Sequence, residues 1–307
     1  MNATSTPSYF DTVLYVRVFI NEIKIVQPKK GAQYGAINAS ILDKDADGKT
    51  IYRTVDLIIS GQEAKRILWI QRDRWPADRM QRSPERWVAD INIGSLRTEA
   101  YTKKDGTVGA VLKGRLIKIR GLRIGDEIVF GEVLEDIPPA TLVAPTYINL
   151  IDPEKGRIQA ALLDGNVEAP EYRNINLDLQ EEIPAINELI VRDLCPRGYT
   201  HRETNAKIFG ILEIAGVYCE GFQAKDGNAR AAMKGVLSKV RYLKANDEVI
   251  VASKEKADSA VAQATQTKAE PEPKAKAPTK TKVKTKAEPE PKAKAPTKTK
   301  VKAKAVA

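Results

Sequence analysis

One internal repeat constrains this chain more than any other feature. Glu99–Glu127 (EAYTKKDGTVGAVLKGRLIKIRGLRIGDE) returns 121 residues later, without a gap, as Glu220–Glu248 (EGFQAKDGNARAAMKGVLSKVRYLKANDE). Upstream, Leu42-Asp43 recurs as Leu163-Asp164, Tyr52-Arg53 as Tyr172-Arg173, and Arg72-Asp73-x-x-Pro76 as Arg192-Asp193-x-x-Pro196. Those offsets are 121, 120 and 120, so one-residue slips separate the copies. A period this long exceeds a solenoid unit and suits a tandem pair of small domains. The function therefore belongs to a module, written twice.

Charge divides the chain differently. The net charge is +10, but Thr267–Ala307 hold 13 of the 50 Lys and Arg against 4 of the 40 Asp and Glu. The remainder carries 37 basic and 36 acidic residues, so anion binding there must come from local patches. Within the tail, the 18-residue unit TKAEPEPKAKAPTKTKVK occurs twice unchanged. Rich in Lys, Ala and Pro and without aromatics, residues 253–307 cannot build a core, and disorder is expected.

Periodicity outlines the module. Val13–Val26 reads as a long strand: Leu14, Val16, Val18 and Ile20 alternate with Tyr15, Arg17 and Phe19. The apolar phase then moves to Ile23 and Ile25, which predicts a bulge near Asn21. Tyr34–Leu42 and Tyr52–Ile59 follow as strands. Gly61–Arg74 has helical spacing, with Ser60 as N-cap and Pro76 as stop. Trp87–Tyr101 and Ala110–Ile119 are strands joined through the turn signal Asp105-Gly106. The second copy repeats the order with strands Arg157–Leu163, Tyr172–Leu179, Ile208–Phe222 and Arg230–Tyr242 and a helix at Ile186–Asp193. Its first strand is the weak element, with only Pro145–Leu150 available. A β-β-β-α-β-β order is the layout of an oligonucleotide-binding (OB) barrel. The expected fold is mainly β: two tandem OB-like five-stranded barrels, 9–135 and 145–252, each with one helix between strands 3 and 4, plus a disordered basic tail.

Single-strand binders pair a basic groove with aromatics on which bases stack. Around the first hairpin lie Arg97, Tyr101, Lys103, Lys104, Lys113, Arg115, Lys118 and Arg120. Phe222, Lys225, Arg230, Lys234, Lys239 and Arg241 surround the second. Lys29, Lys30 and Tyr34 fall on or beside the loop between the first two strands, which flanks the binding face of OB barrels. These seventeen residues are the candidate nucleic-acid contacts, with Tyr34, Tyr101 and Phe222 as stacking platforms. A solvated strand face with one aromatic at its edge would give the same pattern, and Glu99 and Glu220 share that face. Trp69, Trp75 and Trp87 have no aromatic counterparts in the second copy and read as core or interface residues.

Two families resemble this sequence. Trp87–Ile119, with IGSLRTEAYTKKDGTVGAVLKGRLIKI at its heart, looks like the fourth strand, long loop and fifth strand of bacterial single-stranded DNA-binding proteins. Tyr52–Leu68 looks like their third strand running into the helix. Tyr9-Phe10, Pro28-Lys29-Lys30-Gly31, Ser60-Gly61-Gln62-Glu63-Ala64 and Gly106–Arg115 are similar to a family of integrating conjugative elements whose members are named element replication proteins. That resemblance covers roughly residues 9–130 and echoes more weakly in the second copy. It implies an OB-type fold and a role in mobile-element DNA processing. The tail resembles the Lys-Ala-Pro tails of linker histones. It departs from the acidic tip with which bacterial single-strand binders recruit partner enzymes.

Other chemistries find little support. His201 is the one histidine, which rules out histidine clusters and dyads within a chain. No GxxxxGK[ST] loop is present. Asp43-x-Asp45-x-Asp47-Gly48 copies the start of a calcium loop, but Thr54 stands where a bidentate Glu is needed and strands flank it. With Cys195 and Cys219 unrepeated, no disulfide framework is expected. No apolar run reaches the roughly 20 residues of a membrane helix. The expectation is a cytoplasmic, non-enzymatic protein without cofactor or metal and with no membrane partner. It binds single-stranded DNA in replication or transfer of a mobile element. A duplex-coating protein that binds double-stranded DNA through its tail, and a scaffold for replication or transfer proteins, are the alternatives. Two barrels per chain leave room for a homo-oligomer.

Overall fold

Leu14, Val16, Val18 and Ile20 are buried while Tyr15 and Phe19 face outward, so the first long strand follows its period-2 pattern into the core. The computed structural model describes residues 9–44, 48–71, 74, 85–133, 136, 139–180, 182–192, 194, 207–246 and 248–252. Asp45 and Asp47, Trp75 and Pro76, Cys195, His201 and the expected tail lie outside the described residues. Within them the protein is mainly β. The first repeat holds β1 (Tyr9–Phe10), β2 (Val13–Val26), β3 (Tyr34–Lys44), β4 (Thr50–Ile59), α1 (Gln62–Ile70), β5 (Trp87–Thr102), β6 (Val108–Ile124) and β7 (Glu127–Gly131). The second holds β8 (Thr141–Asp152), β9 (Arg157–Asn166), β10 (Glu171–Asp178), α2 (Pro184–Val191), β11 (Ile208–Gln223), β12 (Ala229–Ala245) and β13 (Glu248–Ala252).

The strand pairings of each repeat close on themselves. β2 pairs with β3, β3 with β4, β4 in parallel with β6, β6 with β5, and β5 returns to β2. In the second repeat β8 pairs with β9, β9 with β10, β10 in parallel with β12, β12 with β11, and β11 with β8. The bulge expected near Asn21 is present, between Ile20 and Glu22, and its twin falls between Ile148 and Leu150. Buried side chains from both repeats form one continuous apolar cluster that includes Leu14, Leu57, Ile91 and Leu116 with Leu142, Leu177, Leu212 and Leu237.

Three local expectations are corrected. Ser60 does not cap α1; Gly61 is the N-cap, and the Ser60 hydroxyl donates to the carbonyl of Leu116 at 3.1 Å. The cause is the β4–β6 pairing, which runs on past Ile59 so that the amides of Ser60 and Gly61 also donate to Leu116. α1 ends at Ile70, well before Arg74, whose guanidinium instead meets Glu85 and Glu127. The first strand of the second repeat is longer than its sequence suggests, running from Thr141 to Asp152. Pro145 is tolerated inside it because it falls where one edge of β8 changes partner from β2 to β9.

The repeats join along strands as well as side chains. β2 pairs antiparallel with β8, and β1 pairs with β9. Phe19 lies opposite Ser40, and Tyr147 lies opposite Ala161, which is 121 residues after Ser40. Phe19 and Tyr147 are therefore counterparts, and β8 matches β2 at an offset of 128.

Candidate nucleic-acid interface

Outward-facing aromatics recur at matched positions. Tyr52 on β4 stacks on Phe19 on β2, with ring centres 6.1 Å apart and planes 22° apart. Tyr172 on β10 stacks on its neighbour Tyr147 on β8, at 6.4 Å and 27°. Tyr52 and Tyr172 are 62% and 59% exposed. Packing does not require a large ring left in water at the same place twice, and an exposed tyrosine backed by a near-parallel, half-buried ring offers a flat apolar platform. Polar side chains on the same strands form a network beside the first pair: Asn21 donates to Asn38 and Ser40, and Asn38 donates to Asp56 at 2.7 Å. In the second repeat the strip continues through Phe209 to the buried Tyr242, with edge-on ring spacings of 5.6 and 6.2 Å. Burial, and secondarily Tyr172, raises the Tyr147 phenol above its ordinary pKa.

The seventeen candidate contacts fall in separate places. Lys29 and Lys30 are exposed on the β2–β3 loop, and Tyr34 opens β3. Lys103 and Lys104 sit at the tip of the β5–β6 arm and Lys225 at the tip of the β11–β12 arm, all exposed. Asp105 builds the first tip by accepting from the Thr107 hydroxyl and amide, and Asp226 the second by accepting from the Asn228 amide, which holds both carboxyls below their usual range. Arg97, Arg115, Lys118 and Lys239 are exposed along the strands. Arg120 lies over the Tyr15 ring, 5.6 Å from its centre, and so joins β6 to the outer face of β2.

Several of these cations already face carboxylates. Lys113 meets Glu99 at 2.7 Å, and its counterpart Lys234 meets Glu220, which raises the Lys234 pKa. Arg230 meets Asp226 at 2.6 Å, and Arg241 meets Glu213 at 2.5 Å. The arms are thus less positive than their sequence suggests.

Tyr101 and Phe222 remain about half exposed on their arms. Tyr101 lies across Gly109, so a Cβ there would come within 2.5 Å of the ring. The same face of the first arm borders a cleft of about 610 Å³, whose other wall is Val217, Tyr218 and Cys219 of β11. Arg53 spans this junction: it pairs with Asp43 at 2.8 Å and lies over the Tyr218 ring at 5.2 Å. Burial raises the Cys219 thiol pKa. Of the tryptophans, Trp87 is core and Trp69 is about half exposed at the end of α1.

Sequence reading missed the Phe19–Tyr52 and Tyr147–Tyr172 platforms. Two signals were available. Tyr52-Arg53 and Tyr172-Arg173 echo each other, and Phe19-Ile20-Asn21 is echoed by Tyr147-Ile148-Asn149. The second echo has a different offset because the hairpin from Tyr147 to its partner Ala161 is seven residues shorter than that from Phe19 to Ser40.

Residues 3–136 match the model of a family described as a protein of unknown function (DUF3577). No curated protein matches the sequence. Among solved structures, a deletion mutant of the single-stranded DNA binding protein from Thermus aquaticus is similar, at 12% identity and a TM-score of 0.39. That match covers 81% of this chain and 99% of the other. Among the described residues, no helix is long and apolar enough to cross a membrane, and no cluster of three or more His, Cys, Asp or Glu is placed to hold a metal ion.

Proposed function

We propose that each closed ring of pairings is an OB-type barrel and that the chain is a non-catalytic binder of single-stranded DNA. The observation that carries this reading is the recurrence of a stacked aromatic pair, its β4 or β10 tyrosine exposed, at counterpart positions of the two repeats. Unpaired bases have free faces to lay on such rings, whereas duplex bases are already stacked on one another. Exposed lysines at both arm tips and on the β2–β3 loop supply phosphate contacts that do not read sequence. The Lys-rich segment from Thr267 adds affinity that falls steeply with salt. The resemblance of residues 9–130 to element replication proteins supports replication or transfer of a mobile element as the setting. Binding of duplex DNA through the Lys-rich segment is the second reading, favoured by the +9 charge concentrated there.

Fluorescence anisotropy with labelled oligo-dT and a matched duplex separates the two. The full chain, a chain ending at Ala252, and Tyr52→Ala and Tyr172→Ala variants are compared at low and near-physiological salt. Preference for the single strand survives removal of the segment, and each tyrosine variant costs about 1–3 kcal/mol of binding, the usual size of a base-stacking contact. Binding that vanishes with the segment, or that shows no strand preference, overturns the reading in favour of duplex coating.

A further inference from the structure

The two aromatic platforms are related by a two-fold axis within one chain. In the β2–β8 ladder Leu14 faces Leu142, its own counterpart at the offset of 128. On either side the partners exchange: Val13 faces Val143, the counterpart of Tyr15, and Tyr15 faces Thr141, the counterpart of Val13. Such self-complementary pairing is the signature of a two-fold relation. The second contact obeys it too. Arg53 reaches the carbonyl of Val217 at 3.5 Å, and its counterpart Arg173 donates to the carbonyl of Leu96, the counterpart of Val217, at 2.6 Å.

A two-fold rotation reverses any direction that lies across its axis. β2 and β8, which carry Phe19 and Tyr147, run antiparallel for this reason. A nucleic-acid strand also has a direction. Two strands that lie across the axis and are seated the same way on equivalent platforms therefore run in opposite polarity, the relative orientation that Watson–Crick pairing demands. One strand crossing both platforms would have to double back on itself.

Resting on the single-strand reading above, we propose that the chain holds two single strands at once in opposite polarity and promotes the annealing of complementary sequences. The substrates are two complementary polynucleotides and the product is a duplex. Once paired, the bases stack on each other and leave the tyrosines, so the product has lower affinity for the platforms than either substrate. The 13 lysines from Thr267 onward offset the phosphate repulsion between incoming strands.

The test uses the full chain at near-physiological salt, with Tyr52→Ala, Tyr172→Ala and the double variant; both rings are exposed, so their removal leaves the core intact. A quenched-pair assay reads the rate at which complementary oligonucleotides anneal, and titration with short oligo-dT reads the number bound. The wild-type chain binds two oligonucleotides and each single variant one. The wild type anneals about tenfold or more faster than either single variant, the loss expected when one of two stacking contacts is gone. Both single variants anneal no faster than the double variant. If single variants bind one oligonucleotide but anneal as fast as the wild type, annealing does not use the paired platforms, and the inference falls while the single-strand reading stands. If neither substitution changes binding, the platforms are not the binding surface and both fall.

Discussion

Leu14 lies directly opposite Leu142 where β2 meets β8, and each is the other's counterpart in the repeat. The strands that begin the two modules thus add to one another across a local two-fold axis. That is how two copies of a separate chain would pair. The tandem repeat reads physically as a symmetric dimer drawn on one chain, with the connection between β7 and β8 as its tether. The tether is not idle: Asp136 accepts through its carbonyl from Arg17 at 2.9 Å.

The reciprocal arginines should hold the repeats together unequally. Arg53 pairs with the buried Asp43 at 2.8 Å, whereas Arg173 meets Asp164 at 3.6 Å and also the exposed Glu171. Removing Arg53 leaves a buried carboxylate without its cation. Arg53→Ala is expected to cost about 1–3 kcal/mol, and Arg173→Ala less. Urea unfolding of the two variants measures this. Equal losses would mean that the carbonyl contacts, and not the ion pairs, dominate.

A second ion pair already has its replacement within the protein. Arg17 and Asp90 pair bidentately at 2.8 and 2.9 Å with almost no exposure. Their counterparts are Pro145 and Ile211, which face each other in the same register. Breaking such a pair from one side costs about 3–5 kcal/mol, while replacing both partners with apolar groups is close to neutral. Arg17→Met alone should lower the unfolding midpoint sharply, and adding Asp90→Leu should recover most of the loss. A double variant no more stable than the single one would count against that account.

The same contrast explains what could be read from the sequence. The β2 strand and its bulge at Asn21 were legible because an outward or inward position repeats every two residues. The helix ends were not, because the amides of Ser60 and Gly61 are drawn to Leu116, more than fifty residues away. The arms were found from their identities, but their charge was overstated: Lys113 and Lys234 carry the same internal glutamate partner in both copies. The aromatic platforms lay hidden because each joins strands that meet only in three dimensions. Their chain echo also shifts from 120 to 128 across a hairpin of different length.

The crossing of the two arms makes a steric prediction. A Cβ at Gly221 would come within 2.7 Å of the Gly109 carbonyl carbon and oxygen, and backbone cannot rotate aside as a side chain can. Gly221→Val should separate the arms at a cost of about 1–3 kcal/mol. Gly227 is the control: its φ of +79° is left-handed, but open space surrounds it, so Gly227→Ala carries about 1–2 kcal/mol of backbone strain alone. Hydrogen exchange distinguishes the two. Only the Gly221 variant should lose protection along β5 and β6 of the opposite arm. Similar exchange in both would show that the arms do not bear on one another.

Cys219 reports on the cleft between the repeats. It lines that cleft half-buried, and burial raises its thiol pKa. The thiolate is the reactive form, so a raised pKa means fewer thiolates at any given pH. In a Cys195→Ser chain, alkylation by iodoacetamide should be slow at neutral pH. Its rate should climb about tenfold per pH unit and still be rising past about 8.5, where a free cysteine levels off. A profile that levels at the free value would show an open thiol and a cleft that does not close around it. Oligo-dT provides the second arm. If a strand seated on the platforms extends along the β5–β6 arm, it covers the cleft mouth beside Tyr101 and slows the reaction. An unchanged rate at saturating oligonucleotide would confine the strand to the outer faces of β2, β4, β8 and β10.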